Sequence, residues 1–256
     1  MDFEKLNSAT KYPSILTYHA LGERGALTED RTTFAGIGRD EEVYLTEKID
    51  GTNGRIVFLP GGDYFIGSRE ELLYAKGDRI QNPALGIVET LRPLAEKLCT
   101  EFWIGMHTFY LEVYGGKIGG QAKQYSGTGR VSYRLFDISY APLSVLEMSR
   151  EQISSWRENG GQEFSTVKWL KDTSEHYSIP LVPYLESWTG AILPETVEEM
   201  HEALKLAIDE TYVGLDDKAG GKPEGLVLRT ADRSRIAKAR FQDYERTLKR
   251  RGQKVG

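Results

Sequence analysis

An α+β fold of mainly antiparallel sheets with flanking helices follows from three observations. Several segments alternate apolar and polar residues, the two-residue period of a half-buried strand. Others repeat apolar residues at helical spacing. The two kinds do not alternate regularly, which argues against a parallel βαβ sheet. The first clear strand covers 43–48, where Val43, Leu45 and Glu47 lie opposite Tyr44, Thr46 and Lys48. Residues 54–59 and 64–67 read as a hairpin around Pro60-Gly61-Gly62-Asp63. Asn82-Pro83 signals a helix start over 84–98, with Leu85, Val88, Leu91, Ala95 and Leu98 at helical spacing. Strands resume at 107–114 and 131–138 across a glycine-rich connection, followed by helices over 144–158 and 165–177 and an extended run from Ile179 to Trp188. Pro194-Glu195-Thr196 opens an amphipathic helix with Val197, Met200, Leu204, Ala207 and Ile208 on one face. Strands at 224–229 and 235–241 come last. No repeat, low-complexity tract or linker interrupts this order. Residues 1–241 are therefore expected to form one domain, and 242–256 a short basic, polar tail.

Composition narrows the function. Apolar types make up 39% of the 256 residues and charged types 28%, an ordinary globular balance. No run approaches the roughly 18 consecutive apolar residues of a membrane span, and the start Met1-Asp2-Phe3-Glu4-Lys5 lacks the basic-then-apolar order of a signal peptide. A soluble, cytoplasmic protein is expected, with no membrane partner. Cys99 is the only cysteine, which rules out an intrachain disulfide and is expected in the core. His19, His107, His176 and His201 show no zinc-ligand spacing and read as packing or surface residues. Net charge is −5, yet residues 229–256 carry ten Lys or Arg against three Asp or Glu, leaving −12 on the rest. A basic end on an acidic body suits a locally guided polyanion; a solvated basic tail is the plain alternative.

The sharpest chemical feature is Glu47-Lys48-Ile49-Asp50-Gly51-Thr52-Asn53-Gly54-Arg55, in which a lysine leaves a strand and meets a tight polar turn. A lysine acts as a nucleophile only when neutral, and removing its proton at pH 7 costs about 4–5 kcal/mol for an unperturbed amine. Desolvation and nearby cations can supply much of that. A surface lysine before an Asp-Gly turn is the ordinary reading of such a segment alone. Four later segments add to it. In 107–114, Phe109, Leu111 and Val113 share one face, and Tyr110, Glu112 and Tyr114 the other. Tyr133-Arg134-Leu135-Phe136-Asp137 sets an aromatic beside a carboxylate on an apolar strand. Glu224 opens the strand Gly225-Leu226-Val227-Leu228-Arg229, and Lys238 and Arg240 share one face of Ile236-Ala237-Lys238-Ala239-Arg240-Phe241. Gly116-Lys117 and Gly221-Lys222 are not phosphate loops, because Leu111 and Asp216 stand where the first glycine is required and no Ser or Thr follows.

The ordered set, over about 40–241, resembles the superfamily of lysine-adenylating ligases and RNA-capping enzymes. Within it, Lys-Ile-Asp-Gly-Thr-Asn at 48–53 is most similar to RNA ligases related to the phage enzyme that seals nicks in double-stranded RNA. The resemblance implies an adenylation domain of antiparallel sheets with a nucleotide cleft between them. It implies that Lys48 attacks the α-phosphate of ATP and holds AMP, and that Lys238 holds the α-phosphate and stabilises charge in each transfer. Glu47 would help position adenine, or is a solvated strand carboxylate; Asp50 and Gly51 would shape the turn, and Asn53 would act near phosphate or metal. Arg69 would lie near phosphates and ribose, with an ion pair to Glu70 or Glu71 at a helix start as the ordinary alternative. Arg55 matches a position used in DNA-sealing relatives, or is a strand cation. Glu112 would accept from ribose hydroxyls, and Phe136 would stack on adenine or serve as core. Glu224 would bind magnesium or manganese, hard cations that take oxygen ligands. Arg240 departs from the second lysine usual in the last motif; its planar fork is not interchangeable with an ammonium at a crowded phosphate.

Only fifteen residues follow Phe241, too few for an OB domain, a five-stranded barrel. Either Lys5, Lys11, Arg24 and the basic end are expected to grip RNA, or a protein partner replaces the missing C-terminal domain. The expected function is ATP-dependent ligation of RNA with 5′-phosphate and 3′-hydroxyl ends. The competing readings are a DNA ligase, a GTP-dependent capping enzyme, and a catalytically silent module that binds RNA ends.

Overall fold

Asp2 starts the first helix by accepting the backbone N–H groups of Glu4 and Lys5, two donors that a helix N-terminus leaves unpaired. The structure is a computed structural model that describes residues 1–81, 84–101 and 103–253. The expected start signal Asn82-Pro83 and the last three residues lie outside the described residues. After α1 (Phe3–Ala9) come β1 (His19–Leu21), β2 (Leu27–Arg31), β3 (Glu42–Lys48), β4 (Thr52–Phe58), β5 (Tyr64–Ser68), β6 (Leu72–Ala75) and β7 (Asp78–Arg79). The middle of the chain forms α2 (Ile87–Leu98), β8 (Met106–Gly115), α3 (Ala122–Tyr125), β9 (Val131–Ala141) and α4 (Arg150–Glu158). The remainder forms β10 (Glu163–Phe164), α5 (Val167–Tyr177), β11 (Trp188–Thr189), α6 (Val197–Ala207), β12 (Gly225–Thr230), β13 (Ile236–Arg240) and α7 (Phe241–Arg250).

The α+β expectation holds, and most elements lie within a few residues of their expected places. Two segments differ. Residues 144–158 do not form one helix: a 3₁₀ turn covers Leu143–Glu147, and a capping box at Ser149 and Gln152 begins α4 afresh. Residues 242–250, expected within a short polar tail, instead form most of α7, which buries Asp243, Tyr244, Thr247 and Leu248 on one side. Tyr244 and Leu248, four residues apart, supply its apolar stripe among many charges. None of the described helices is long and apolar enough to cross a membrane.

The chain divides into two compact units, each built from three stretches: Met1–Pro13, Gly51–Ala122 and Gly129–Leu181 in one; Ser14–Asp50, Lys123–Thr128 and Val182–Gly256 in the other. No shift in composition marks the crossings, so the sequence reads as continuous.

The first unit holds a seven-stranded antiparallel sheet in the order β10-β9-β8-β4-β5-β6-β7. One face carries Ile56, Phe58, Phe109, Leu111, Val113 and Ile138 against Ile87, Leu91, Leu94 and Leu98 of α2. Gly54 permits this packing, since a Cβ there would meet Leu91 Cδ1 at 2.7 Å. The other face packs Val57, Phe65 and Met106 with Leu6 and Ala9 of α1 and Ile153 of α4.

The second unit holds a four-stranded sheet, β11-β3-β12-β13, all pairs antiparallel. Val43, Leu45, Leu226, Leu228, Ala237 and Ala239 form its apolar face, covered by Val197, Met200 and Leu204 of α6 and Tyr244 and Leu248 of α7. Helix α7 is thus part of a core. Leu248→Ala is expected to lower the unfolding free energy by about 2–4 kcal/mol, whereas exposed Lys249→Ala leaves it within roughly 0.5 kcal/mol. Urea denaturation of both variants checks this, and equal stabilities would place the helix outside the core.

Candidate functional site

Strand register assembles the cations of the four-stranded unit. Lys48 lies opposite Gly225, and Gly225 opposite Arg240; two residues along, Thr46, Val227 and Lys238 are aligned in the same way. Residues directly opposite share a face. Lys48, Lys238 and Arg240 therefore share the face turned away from Leu45, Leu226 and Ala239. The close approach depends on Gly225, at φ +154°, where a Cβ would meet the Ala239 carbonyl oxygen at 2.0 Å.

Glu224 lies beside Lys48. The Lys48 Nζ donates to Glu224 Oε2 at 2.6 Å, with the lysine side chain 23% exposed and the glutamate 9%. Burial pushes the Glu224 carboxyl above its ordinary range, and the Lys48 ammonium offsets only part of that. Asp50 follows in sequence, and its backbone N–H donates to the buried Tyr125 hydroxyl at 2.7 Å. The stretch carrying Tyr125 is held by Asp216, whose carboxylate accepts from the Ser126 and Thr128 hydroxyls and from the backbone N–H groups of Gly127 and Thr128. These bonds, the Ser126 hydroxyl's first, hold the Asp216 carboxyl well below the usual range. Arg240 donates through Nε to Asp243 Oδ2 at 2.7 Å, and Arg246 donates to the other oxygen of this buried carboxylate at 2.9 Å. The arginine that replaces the expected lysine is thus oriented by a carboxylate three residues on. Lys238 is half-buried on the shared face, its backbone tied to Leu16 and Tyr18.

Glu47 is placed differently. Its carboxylate is buried and accepts from the Thr211 hydroxyl and from the Tyr212 backbone N–H, the latter at 2.9 Å. It belongs to the opposite side of β3 from Lys48 and anchors the segment after α6.

The seven-stranded unit holds the rest. The Gly51 N–H donates to Glu112 Oε1 at 3.1 Å, and a Cβ on Gly51 would meet the Val113 carbonyl oxygen at 2.3 Å, so this turn requires glycine. Asn53 lies directly opposite Glu112, and its buried amide oxygen has no hydrogen-bond partner, which leaves an acceptor beside a carboxylate. Arg134 is opposite Glu112 on the other flank and donates to the Leu181 carbonyl at 3.3 Å. Between Tyr110 and Leu111 the register with β9 shifts: Tyr110 faces Asp137 while Leu111 faces Leu135. The extra residue is Phe136, and the bulge turns both Phe136 and Asp137 towards the Tyr110 side. Asp137 accepts from the Tyr12 hydroxyl at 2.9 Å, and Phe136 meets the Tyr12 ring edge-on at 5.1 Å.

Two expected residues are occupied elsewhere in this unit. Arg55 is wholly buried and donates to the Asn7 side chain, and its Nε and Nη1 have no partner. Burial lowers its pKa to about 10. Gly67 makes room for it, since a Cβ there would lie 2.9 Å from the Arg55 Nε. Arg69 is exposed in the turn after β5, with Nε 3.6 Å from Glu70, so its ion pair forms at a strand connection and not at a helix start. Glu70 also binds Lys11 at 3.0 Å, which occupies one of the cations expected to reach for RNA.

The profile of the RNA ligase family matches residues 41–247. This chain belongs to the RNA ligase family. Solved structures of Naegleria gruberi RNA ligase share its fold. A substituted form without ligand is 14% identical at a TM-score of 0.56, with 94% of this chain and 62% of that chain covered. A substituted form with ATP and manganese gives 14% and 0.56, covering 94% and 63%. The form with pyrophosphate gives 15% and 0.52, covering 93% and 64%. The present chain thus spans less than two thirds of the length of the ligases it matches. No curated protein matches it.

Among the described residues of this ligase-family chain, no three His, Cys, Asp or Glu side chains converge into a metal cage. The donors present suit a hard divalent cation that keeps most of its ligands as water or phosphate oxygens and takes a single carboxylate. Tyr125, Asp216, Asp243 and Thr211 were not singled out from sequence. Each lies distant in the chain from the group it orients or only three residues from it without a motif, so spacing alone carried no signal.

The Glu224 carboxyl should titrate above the ordinary glutamate value, and Lys48→Met should raise it further by removing the cation that draws it down. Because folding raises this pKa, the stability it contributes is present at low pH and lost as pH climbs through the raised value. Carbon-13 NMR of the labelled side chain measures both; a midpoint at or below the ordinary value would contradict the burial argument.

Proposed function

We propose that this chain is an ATP-dependent RNA ligase that works through a covalent lysyl-AMP. The observation that supports the reading most is the 2.6 Å bond between Lys48 and Glu224 on a sheet face that also carries Lys238 and Arg240. The Lys48 ammonium must lose a proton, at a cost of about 4–5 kcal/mol for an unperturbed amine at pH 7. Glu224 already accepts that hydrogen bond, and its raised pKa makes it a better proton acceptor than a solvated glutamate.

The amine then attacks the α-phosphorus of ATP, forming a P–N bond as the bond to pyrophosphate breaks. A 5′-phosphate of RNA next takes the AMP, which breaks the P–N bond and gives an adenylylated end. Attack by a 3′-hydroxyl on that end forms the phosphodiester and releases AMP. Lys238 and Arg240 would stabilise the charge that develops on the transferred phosphoryl group. Glu224, once its proton has passed to solvent, would hold magnesium or manganese, which supplies neutralisation of phosphate charge. Gly51 and Asp50 would keep the turn after Lys48 rigid, Glu112 would accept from the ribose hydroxyls, and Asn53 would offer its amide oxygen near phosphate or a metal-bound water. Phe136 would stack on the base, and Arg69, exposed beside Glu70, would turn towards phosphates. Glu47 and Arg55 are proposed as positioning groups, since their side chains are buried.

Labelled ATP with magnesium should leave AMP on the wild-type chain and none on Lys48→Ala; equal labelling of both would defeat the assignment. Excess GTP or NAD should not compete, and nicks with RNA on the 3′-hydroxyl side should be sealed in preference to all-DNA nicks. Sealing of all-DNA nicks alone would instead indicate a DNA ligase, GTP labelling a capping enzyme, and RNA binding without labelling a silent module.

A further inference from the structure

Residues 182–212 carry seven Asp or Glu and a single Lys or Arg, Lys205, yet apart from Glu186 the side chains that line a hollow there, in the four-stranded unit, are apolar or aromatic. This cavity of about 720 Å³ is lined by Tyr184, Trp188, Ile192, Ala203, Leu206 and Tyr212 among others. Its outer residues contribute little to the core beneath. Val197, Met200 and Leu204 turn the buried stripe of α6 inward, whereas Leu206 is 89% exposed, Ile192 62% and Tyr212 58%. Exposed leucine, isoleucine and tyrosine clustered around one hollow mark a contact surface more than solitary surface apolars do.

The rim is acidic. Glu186 lines the hollow, Glu202 precedes Leu206 by one helical turn, and Asp209 and Glu210 follow directly after α6. Lys205 is paired with Glu202 at 3.2 Å, so the single Lys or Arg within 182–212 is already neutralised. The nearby basic residue Arg251 is bound to Glu29 and Glu198 instead.

We propose that this hollow is a docking site for a basic amphipathic helix of a protein partner, with apolar anchors entering among Trp188, Ile192, Leu206 and Tyr212 and flanking lysines or arginines meeting the acidic rim. Helices of this kind present anchors at i, i+3, i+4 and i+7 to an apolar groove. Charge complementarity selects this occupant. An RNA strand would bring phosphates against carboxylates, and a second copy in a two-fold contact would bring the same acidic rim against itself.

The test uses a labelled synthetic helical peptide with leucines at i, i+3, i+4 and i+7 and lysines elsewhere, titrated into the whole chain by fluorescence anisotropy. Saturable binding is expected, weakening with salt. Ile192→Gln with Leu206→Gln, which leaves the charge unchanged at exposed positions, should weaken it about tenfold. Glu186→Gln with Glu202→Gln should reduce its salt dependence. The same peptide with glutamates in place of lysines should not bind. No binding to the wild type, or equal binding to the apolar double variant, would overturn the proposal. Labelled single-stranded RNA that binds and loses affinity in the apolar variant would overturn it in favour of a nucleobase site. Lysine labelling by ATP is measured in parallel, so that failure here is distinguishable from failure of the ligase reading.

Discussion

The hydrogen-bonded ion pair between Lys48 and Glu224 is the constraint on which the four-stranded unit is organised. It joins residues 176 apart in the chain and requires β3 and β12 to run side by side in one register, because a slip of a single residue would turn Lys48 to the apolar face. Glycine at 225 lets β13 approach closely enough to bring Lys238 and Arg240 to the same face. The apolar face, with Leu45, Leu226 and Ala239 under α6 and α7, makes that register the stable one. Burying each such side chain is worth roughly 1.5–3 kcal/mol relative to leaving it exposed. The cation face is thus fixed by residues on the other side of the sheet.

Carboxylates do comparable work around it. Buried Glu47 and half-exposed Asp216 each accept at least two hydrogen bonds from distant stretches of chain, and buried Asp243 holds Arg240 and Arg246 on either side of it. A buried carboxylate left unpaired would be costly, so such groups fix a single arrangement once their donors are in place. Arg55 is the exception in the seven-stranded unit, a buried guanidinium with two nitrogens unsatisfied.

Most strands were legible because alternation is a local signal: 43–48 and 107–114 show the two-residue period, although 107–114 is buried on both sides, Tyr110 and Tyr114 as fully as Phe109 and Val113. The motif residues were legible as types in order, and the family match covers nearly the same span as that order. What stayed hidden depends on distant partners. Helix α7 was obscured by its charge, since two apolar residues are enough only when a core is already waiting for them. The bulge at Phe136 cannot be seen in a strand read alone, because it is a mismatch between two strands. The Tyr125 bond to the Asp50 amide and the Asp216 clamp join residues without any spacing rule between them.

The division of the chain into alternating stretches has an outcome for how the protein is made. Strand β3 emerges early in synthesis, but its long neighbour β12 begins only at Gly225. Until the ribosome has passed that point, the strand that bears Lys48 has an open edge and no Glu224 to meet. A nascent polypeptide therefore carries Lys48 without its carboxylate partner, and the cation face is completed in one late event instead of accruing with length.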